Sequence, residues 1–230
     1  MSAAPHLRLP WGFWEFVTRF GEAQLLTPTA LALGVWLAWI GAKRSAGLWL
    51  GLFGFAFALT SATKIAFIGW GVGIPRLNFT GISGHAMHAA AVLPLLLHSL
   101  AAARGRATRG AAVAAGYAAA ALVALSRFVL GAHSPSESVI GFALGGAASA
   151  LTLVLAHLPA RAPPHTLGFV LVAAQMLNSL AAPSVRTHDI VTRVALALSG
   201  HERPYTRAML RKRGDCWVPD WATSAGRSCS

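Results

Sequence analysis

The sequence predicts an all-α fold, a polytopic integral membrane bundle of about six transmembrane helices, on three observations. Of the 230 residues, 55% are hydrophobic and only 11% charged, the balance of a membrane protein rather than a soluble domain. The apolar residues gather into about six runs, and a helical span needs roughly 20 such residues. No stretch alternates apolar and polar residues as a half-buried strand does, and no internal repeat is visible. The net charge of +12 would suit a nucleic-acid binder, but the basic residues sit in short loops and the C-terminal tail. Anionic headgroups account for them there, and no groove-reading or stacking motif accompanies them. Membrane lipids are therefore the expected partners, not nucleic acid, and the oligomeric state is left open.

Residues 1–22 interleave Arg8, Glu15, Arg19 and Glu22 with Trp11, Phe13, Trp14, Phe16, Val17 and Phe20. A cleavable signal needs an unbroken apolar stretch, so this segment reads as an amphipathic interfacial helix. Residues 23–183 form the expected transmembrane domain. Its first run, 24–42, stops at Lys43-Arg44, and the second, 45–74, contains Lys64. The second is too long for one span, and Gly69, Gly71, Gly73 and Pro75 are its expected break. The third run, 85–103, ends in a loop with Arg104, Arg106 and Arg109. The fourth, 110–130, is Ala-rich, and the fifth runs from Ser134-Pro135 to 158 with Gly141, Gly145 and Gly146 as small contact residues. The sixth, 166–182, is shorter and includes Gln175 and Asn178. Trp36, Trp39 and Trp49 are expected as interfacial anchors.

Residues 184–230 form a basic C-terminal tail. In it Ile190, Val191, Val194, Ala195 and Leu198 mark an amphipathic helix lying on the membrane or on the bundle, followed beyond Gly200 by an irregular stretch. The two cysteines, Cys216 and Cys229, suit a disulfide loop if the tail lies outside the cytoplasm. Lys43, Arg44, Arg104, Arg106, Arg109 and Arg161 fall on one face of the bundle. The positive-inside rule makes that face cytoplasmic. The expected setting is a bacterial inner (cytoplasmic) membrane with the opposite face toward the periplasm.

That opposite face holds three polar clusters. Ser83-Gly84-His85 opens the third run, so it stands at a helix N-terminus, where unpaired N–H groups and the helix dipole favour an anion. Ser126-Arg127 closes the fourth run. His133 follows, and Glu137 stands four residues later in a Ser134-Pro135-Ser136-Glu137 capping box. Glu137 is expected both to cap the helix and to accept the His133 N–H, fixing the tautomer that leaves the other nitrogen to attack, with different oxygens serving the two tasks. The third cluster pairs Lys64 with Arg76. Along one continuous helix they would lie about 18 Å apart, so they converge only if the glycines fold the chain back.

Two arginines, a lysine, a serine and a helix N-terminus are what the three oxygens of a phosphoryl group require. Two histidines can divide attack on phosphorus and protonation of the departing oxygen. No Asp/Glu pair is available for a divalent metal, so a metal-free route with no cofactor is expected. His88, one turn inside from His85, reads as a packed histidine, and Asn78 and Thr80 as loop residues.

This ordered set resembles the type 2 phosphatidic acid phosphatase (PAP2) superfamily, whose pattern is K-x6-RP, then PSGH, then SR-x5-H-x3-D. Ser126-Arg127, His133 and Glu137 match the third motif with Glu for Asp. Ser83-Gly84-His85 matches the second without its Pro. Lys64 and Arg76 match the first with a longer spacing and Leu77 for Pro. The resemblance covers about residues 25–160 and implies a PAP2-like helical core with an outward-facing site. It implies His133 as the nucleophile that becomes a phosphohistidine, Glu137 as its orienting group, and His85 as the general acid. Lys64, Arg76, Ser83, Gly84 and Arg127 would hold the phosphate. The expected activity is hydrolysis of a lipid phosphate or diphosphate: polyprenyl diphosphate, phosphatidate, phosphatidylglycerol phosphate or lipid A. A lipid phosphotransferase would share every one of these residues. A non-catalytic headgroup-binding transporter would keep the cations but have no need of the His133–Glu137 pair.

Overall fold

A computed structural model of the chain describes residues 10–156, 158, 164–181 and 187–215. Among them the secondary structure is helical apart from one isolated bridge between Ile74 and Phe79. The helices are α1 (Trp11–Arg19), α2 (Ala23–Trp39), α3 (Lys43–Trp70), α4 (Gly84–Leu100), α5 (Arg106–Val129), α6 (Pro135–Leu155), α7 (Pro164–Ala181), α8 (Thr187–Ser199) and α9 (Arg207–Asp215). Helices α2 to α7 stand where the six apolar runs stand. Three of them, α3, α5 and α6, are long and apolar enough to cross a membrane. Helices α2 and α4 have 17 residues each, about 26 Å of rise against a hydrocarbon core of about 30 Å. The apolar part of α7 is shorter still, His165–Asn178. Cys216, Cys229 and Arg161 lie outside the described residues.

Helix α4 is the centre of the bundle. It packs most extensively against α5 and α6 and buries Met87, His88, Val92, Pro94 and Leu95. Glycines let the neighbours approach its backbone: a side chain at Gly116 of α5 would collide with Pro94, and one at Gly145 of α6 with the Met87 carbonyl. The outer surface is apolar, with Phe55, Val139, Val154, Phe169 and Met176 exposed, as a lipid-facing surface requires. Polar groups of α2 are answered from α7. Pro28 within α2 cannot donate to the Gln24 carbonyl, and Asn178 Nδ2 of α7 supplies that carbonyl with a donor at 3.0 Å. Gln175 Nε2 does the same for the Leu25 carbonyl at 2.8 Å.

Two of the three expected interfacial tryptophans are core residues instead. Trp36 and Trp49 are fully buried, and only Trp39 is exposed. Each buried indole N–H has a partner, Thr166 Oγ1 for Trp36 at 3.0 Å and the Ala30 carbonyl for Trp49 at 2.9 Å, which is what allows a tryptophan to sit inside.

The described part of the C-terminal tail, residues 187–215, is folded onto the bundle. Val191 and Ala195 of α8 pack on Phe67 and Ile68 of α3, while Ile190, Val194 and Leu198 of the same stripe remain exposed. The stretch beyond Gly200 is not irregular throughout: Arg207–Asp215 is helical. Ala, Met, Leu, Arg and Lys are good helix formers, and buried Leu210 anchors the helix to the Phe67 cluster.

Candidate active site

The site lies where the start of α4, the end of α5 and the start of α6 meet the last turns of α3. Helix α3 is 28 residues long, about 42 Å, so it overshoots a bilayer core of about 30 Å. Lys64 stands six residues from its end at Trp70, near headgroup level rather than at the costly centre of the bilayer. Gly71 closes the helix in the left-handed conformation, φ 68°. A 3-10 turn at Pro75–Leu77 then reverses the chain, held by mutual bonds between the Ile74 and Phe79 backbones at 3.0 and 3.1 Å. The returning strand of loop lies against α3, with Ile82 N–H donating to Thr63 Oγ1 at 3.1 Å. This fold-back carries Lys64 Nζ to the N-terminus of α4: a Cβ on Gly84 would stand 3.2 Å from it.

The other two motifs are set by their own turns. Gly131 (φ 67°) reverses the chain after α5, so that the N–H groups of Ala132 and His133 both donate to the Arg127 carbonyl at 3.1 Å. That turn fixes the spacing between Arg127 and His133. Ser134 then caps α6 with Pro135 at its first position, and Glu137 completes the capping box. The Ser83 N–H donates to the Glu137 carbonyl at 3.1 Å, docking the start of α4 on α6.

Lys64, Gly84, His85, Arg127 and His133 line one cavity of about 810 Å³, and Phe57, Phe67, Ile68 and Val191 form an apolar part of its wall. Ser83 Oγ and Arg127 Nε are buried without a hydrogen-bond partner among the described residues, two donors at the same end. Glu22 is exposed at the rim. Arg76 is not among the lining residues. It sits on the exposed 3-10 turn, because the chain reverses there before coming back to α4. Lys64 and the two histidine motifs thus share one cavity, which Arg76 does not line.

His133 Nδ1 lies 2.8 Å from Glu137 Oε2. A carboxylate only accepts, so Nδ1 carries the proton and Nε2 holds the lone pair. Burial lowers the His133 pKa below its ordinary 6.5. The Glu137 hydrogen bond opposes that, and the charges of Lys64 and Arg127 reinforce it. The ring is therefore neutral at neutral pH. His88 provides the contrast. Its Nδ1 donates to the Gly84 carbonyl at 2.8 Å, its Nε2 meets Thr27 Oγ1 at 3.1 Å, and Phe53 and Phe57 pack edge-on against it. Both its nitrogens are spoken for by the fold.

Glu137 is fully buried and does not divide its oxygens as expected. Oε2 takes Ser134 N–H at 2.9 Å as well as His133, because both donors lie just before the helix whose first turn carries Glu137. Oε1 takes the N–H of Thr80 at 2.6 Å and its hydroxyl at 2.7 Å. Arg207 Nη2 reaches both oxygens, Oε2 at 2.7 Å and Oε1 at 3.0 Å. Sequence reasoning passes over Arg207, one of several basic residues in the tail, and reads Thr80 as a loop residue. It also passes over Thr18 of α1, whose hydroxyl accepts from Arg127 Nη1 at 2.9 Å. None of the three carries a local motif.

The described residues thus gather three histidines (His85, His88 and His133), three cations (Lys64, Arg127 and Arg207) and the N-terminus of α4 around one cavity of a helical bundle. The chain belongs to the PAP2 superfamily, whose family model matches residues 21–159. It is also 38% identical over 210 residues to an "Uncharacterized 22.5 kDa protein in cps region" of Klebsiella pneumoniae, an alignment covering 87% of this chain and 98% of that protein. No solved structure matches it. The family match ends before α7, α8 and α9, so Arg207 lies outside it.

Proposed function

We propose that the protein is an integral membrane lipid phosphatase that works through a phosphohistidine and needs no metal. The observation that carries this reading is the convergence of Lys64, Gly84, His85, Arg127 and His133 on one cavity, with Glu137 bound to His133 Nδ1. The Nε2 lone pair of His133 attacks phosphorus, forming a P–N bond as the P–O bond to the lipid breaks. The departing oxygen takes a proton from His85. Water then attacks the phosphohistidine, gives its proton to His85, and releases inorganic phosphate with His133 restored. Lys64, Arg127 and the N-terminus of α4, with Ser83 and Gly84, hold the phosphoryl oxygens as their charge shifts. The entering phosphate also supplies the negative charge beside which His85 can carry its proton between Lys64 and Arg127.

The apolar wall of Phe57, Phe67, Ile68 and Val191 favours a lipid tail over a soluble phosphate ester. Polyprenyl diphosphate, phosphatidate, phosphatidylglycerol phosphate and lipid A type substrates all fit that chemistry. In this reading α2, α4 and α7 join α3, α5 and α6 in a bacterial inner membrane, and the site faces the periplasm. Transfer of the phosphoryl group to an acceptor lipid instead of water would use the same residues.

Rapid quenching of the enzyme with a substrate labelled at phosphorus tests the intermediate. Label should be retained on the wild-type protein in base, released in acid, and absent from His133→Ala. Turnover by His133→Ala would remove the nucleophile assignment.

A further inference from the structure

We propose that Arg207 is a positioning residue of the active site: its guanidinium and the Glu137 carboxylate form the pair that holds His133, and that pair is why a glutamate serves where the family pattern has an aspartate. The proposal rests on the phosphatase reading of the site.

The geometry is that of a built contact. Arg207 Nη2 reaches both Glu137 oxygens and also Thr80 Oγ1 at 3.0 Å, while Nη1 donates to the Asn78 carbonyl at 2.7 Å. One side chain thus ties loop 78–80 to the first turn of α6. A planar fork of donors does this, and a point charge such as an ammonium does it less well. The arm that delivers it is pinned to α3. His201 Nδ1 donates to the Gly69 carbonyl at 2.7 Å, Tyr205 N–H donates to the Ile68 carbonyl at 3.0 Å, and Leu210 is buried one turn beyond Arg207.

The pair answers a physical need. Glu137 is fully buried, and a buried carboxylate stays charged only when paired and hydrogen-bonded. His133 cannot serve as that counter-ion, since the nucleophile must be neutral. The cation comes instead from a helix outside the family-matched region. The longer side chain matters because Glu137 must reach back to His133 and Ser134 N–H while presenting its other edge to Thr80 and Arg207. An aspartate is shorter by one methylene and loses one of these sets.

The charged and titratable groups around His133 are Lys64 of α3, His85 and His88 of α4, Arg127 of α5, Glu137 of α6, Tyr205 just before α9 and Arg207 of α9, which itself lines the cavity, with Glu22 at the rim. Neutralising Arg207 removes the cation paired directly with Glu137, so the Glu137 charge acts more strongly on His133 against Lys64 and Arg127. That favours the imidazolium, so the titration of His133 must move to higher pH.

The test uses the purified full chain in detergent. It compares wild type, Arg207→Gln, Arg207→Lys and, as a charge-loss control on the exposed part of the same arm, Arg203→Gln. The readouts are kcat, KM, the pH–rate profile, and NMR titration of the His133 imidazole, identified by its absence in His133→Asn. Arg207→Gln should lower kcat by about 10- to 100-fold with KM little changed. Both the acid limb of the rate profile and the NMR midpoint should rise by about one pH unit. Arg207→Lys should return the midpoint toward wild type while recovering only part of kcat, and it carries the test if the glutamine variant fails to fold. Arg203→Gln should change neither. A kcat loss with an unmoved His133 midpoint would overturn the proposal in favour of a merely structural arm. A rise in KM alone would make Arg207 a substrate contact instead. Absence of phosphate release by the wild type would remove the phosphatase reading, and the NMR arm would still decide whether Arg207 and Glu137 act on His133.

Discussion

The bundle from α2 to α6 and the arm formed by α8 and α9 contribute to one site by different means. The bundle supplies groups fixed by nearby sequence. Gly131 links Arg127 to His133, the capping box links Ser134 to Glu137, and the N-terminus of α4 sets Gly84 and His85. The arm supplies a counter-ion, Arg207, from 70 residues beyond Glu137. Chemistry carried by short motifs stays with the bundle, while the electrostatic support of those motifs comes from a distant segment that packs on α3.

Bundle and arm meet at Glu137, where the largest effect is expected. Glu137→Ala should lower kcat by about 10²- to 10³-fold, since the tautomer and aim of His133 are lost. Stability should fall by about 3–5 kcal/mol, because the partner cation and the cap are left unanswered. Steady-state kinetics and thermal unfolding read the two effects separately. Within the bundle, Lys64→Ala should cost about 10²-fold in kcat/KM. Arg76→Ala should cost no more than about threefold, because it stands on the turn outside the cavity. A large loss at Arg76 would mean that the loop closes over substrate.

The pH dependence sharpens the assignment of His133. Its pKa lies below 6.5, so the nucleophile is neutral and available at pH 7, and the protonated form accumulates only as pH falls through the lowered value. Activity should hold from about neutrality downward past 6.5 and then decline, as a pH–rate profile would show. A loss already centred above 6.5 would contradict the burial argument. The smallest effect is expected at Thr18→Ala, about two- to fivefold in kcat/KM, since it removes one neutral partner of Arg127 and leaves its charge in place.

The fold class was legible because composition and run length dominate a membrane sequence, and the helices follow the apolar runs. The site was legible where backbone turns are local, as at Ser83-Gly84-His85 and from Ser126 to Glu137. Lys64 was legible as a charge in an apolar run, but its convergence with Gly84 depends on a reversal built from Gly71 to Gly81. Arg76, matched in order but not in spacing, stands on the 3-10 turn of that reversal and does not line the cavity. Trp36 and Trp49 read as surface anchors because sequence does not show that Thr166 and the Ala30 carbonyl wait for their indole N–H groups. Arg207 was hidden among equally basic neighbours, since only tertiary packing chooses which arginine reaches a buried carboxylate.

Phosphate release by the purified protein, in detergent with EDTA, across a panel of lipid phosphates and diphosphates, is the decisive test of metal-free phosphatase activity through His133, with His133→Ala as the paired control. The expected result is release from one lipid class that persists in EDTA and falls at least about 10³-fold in the variant. Release unchanged in His133→Ala, or abolished by EDTA and restored by a divalent ion, would contradict it.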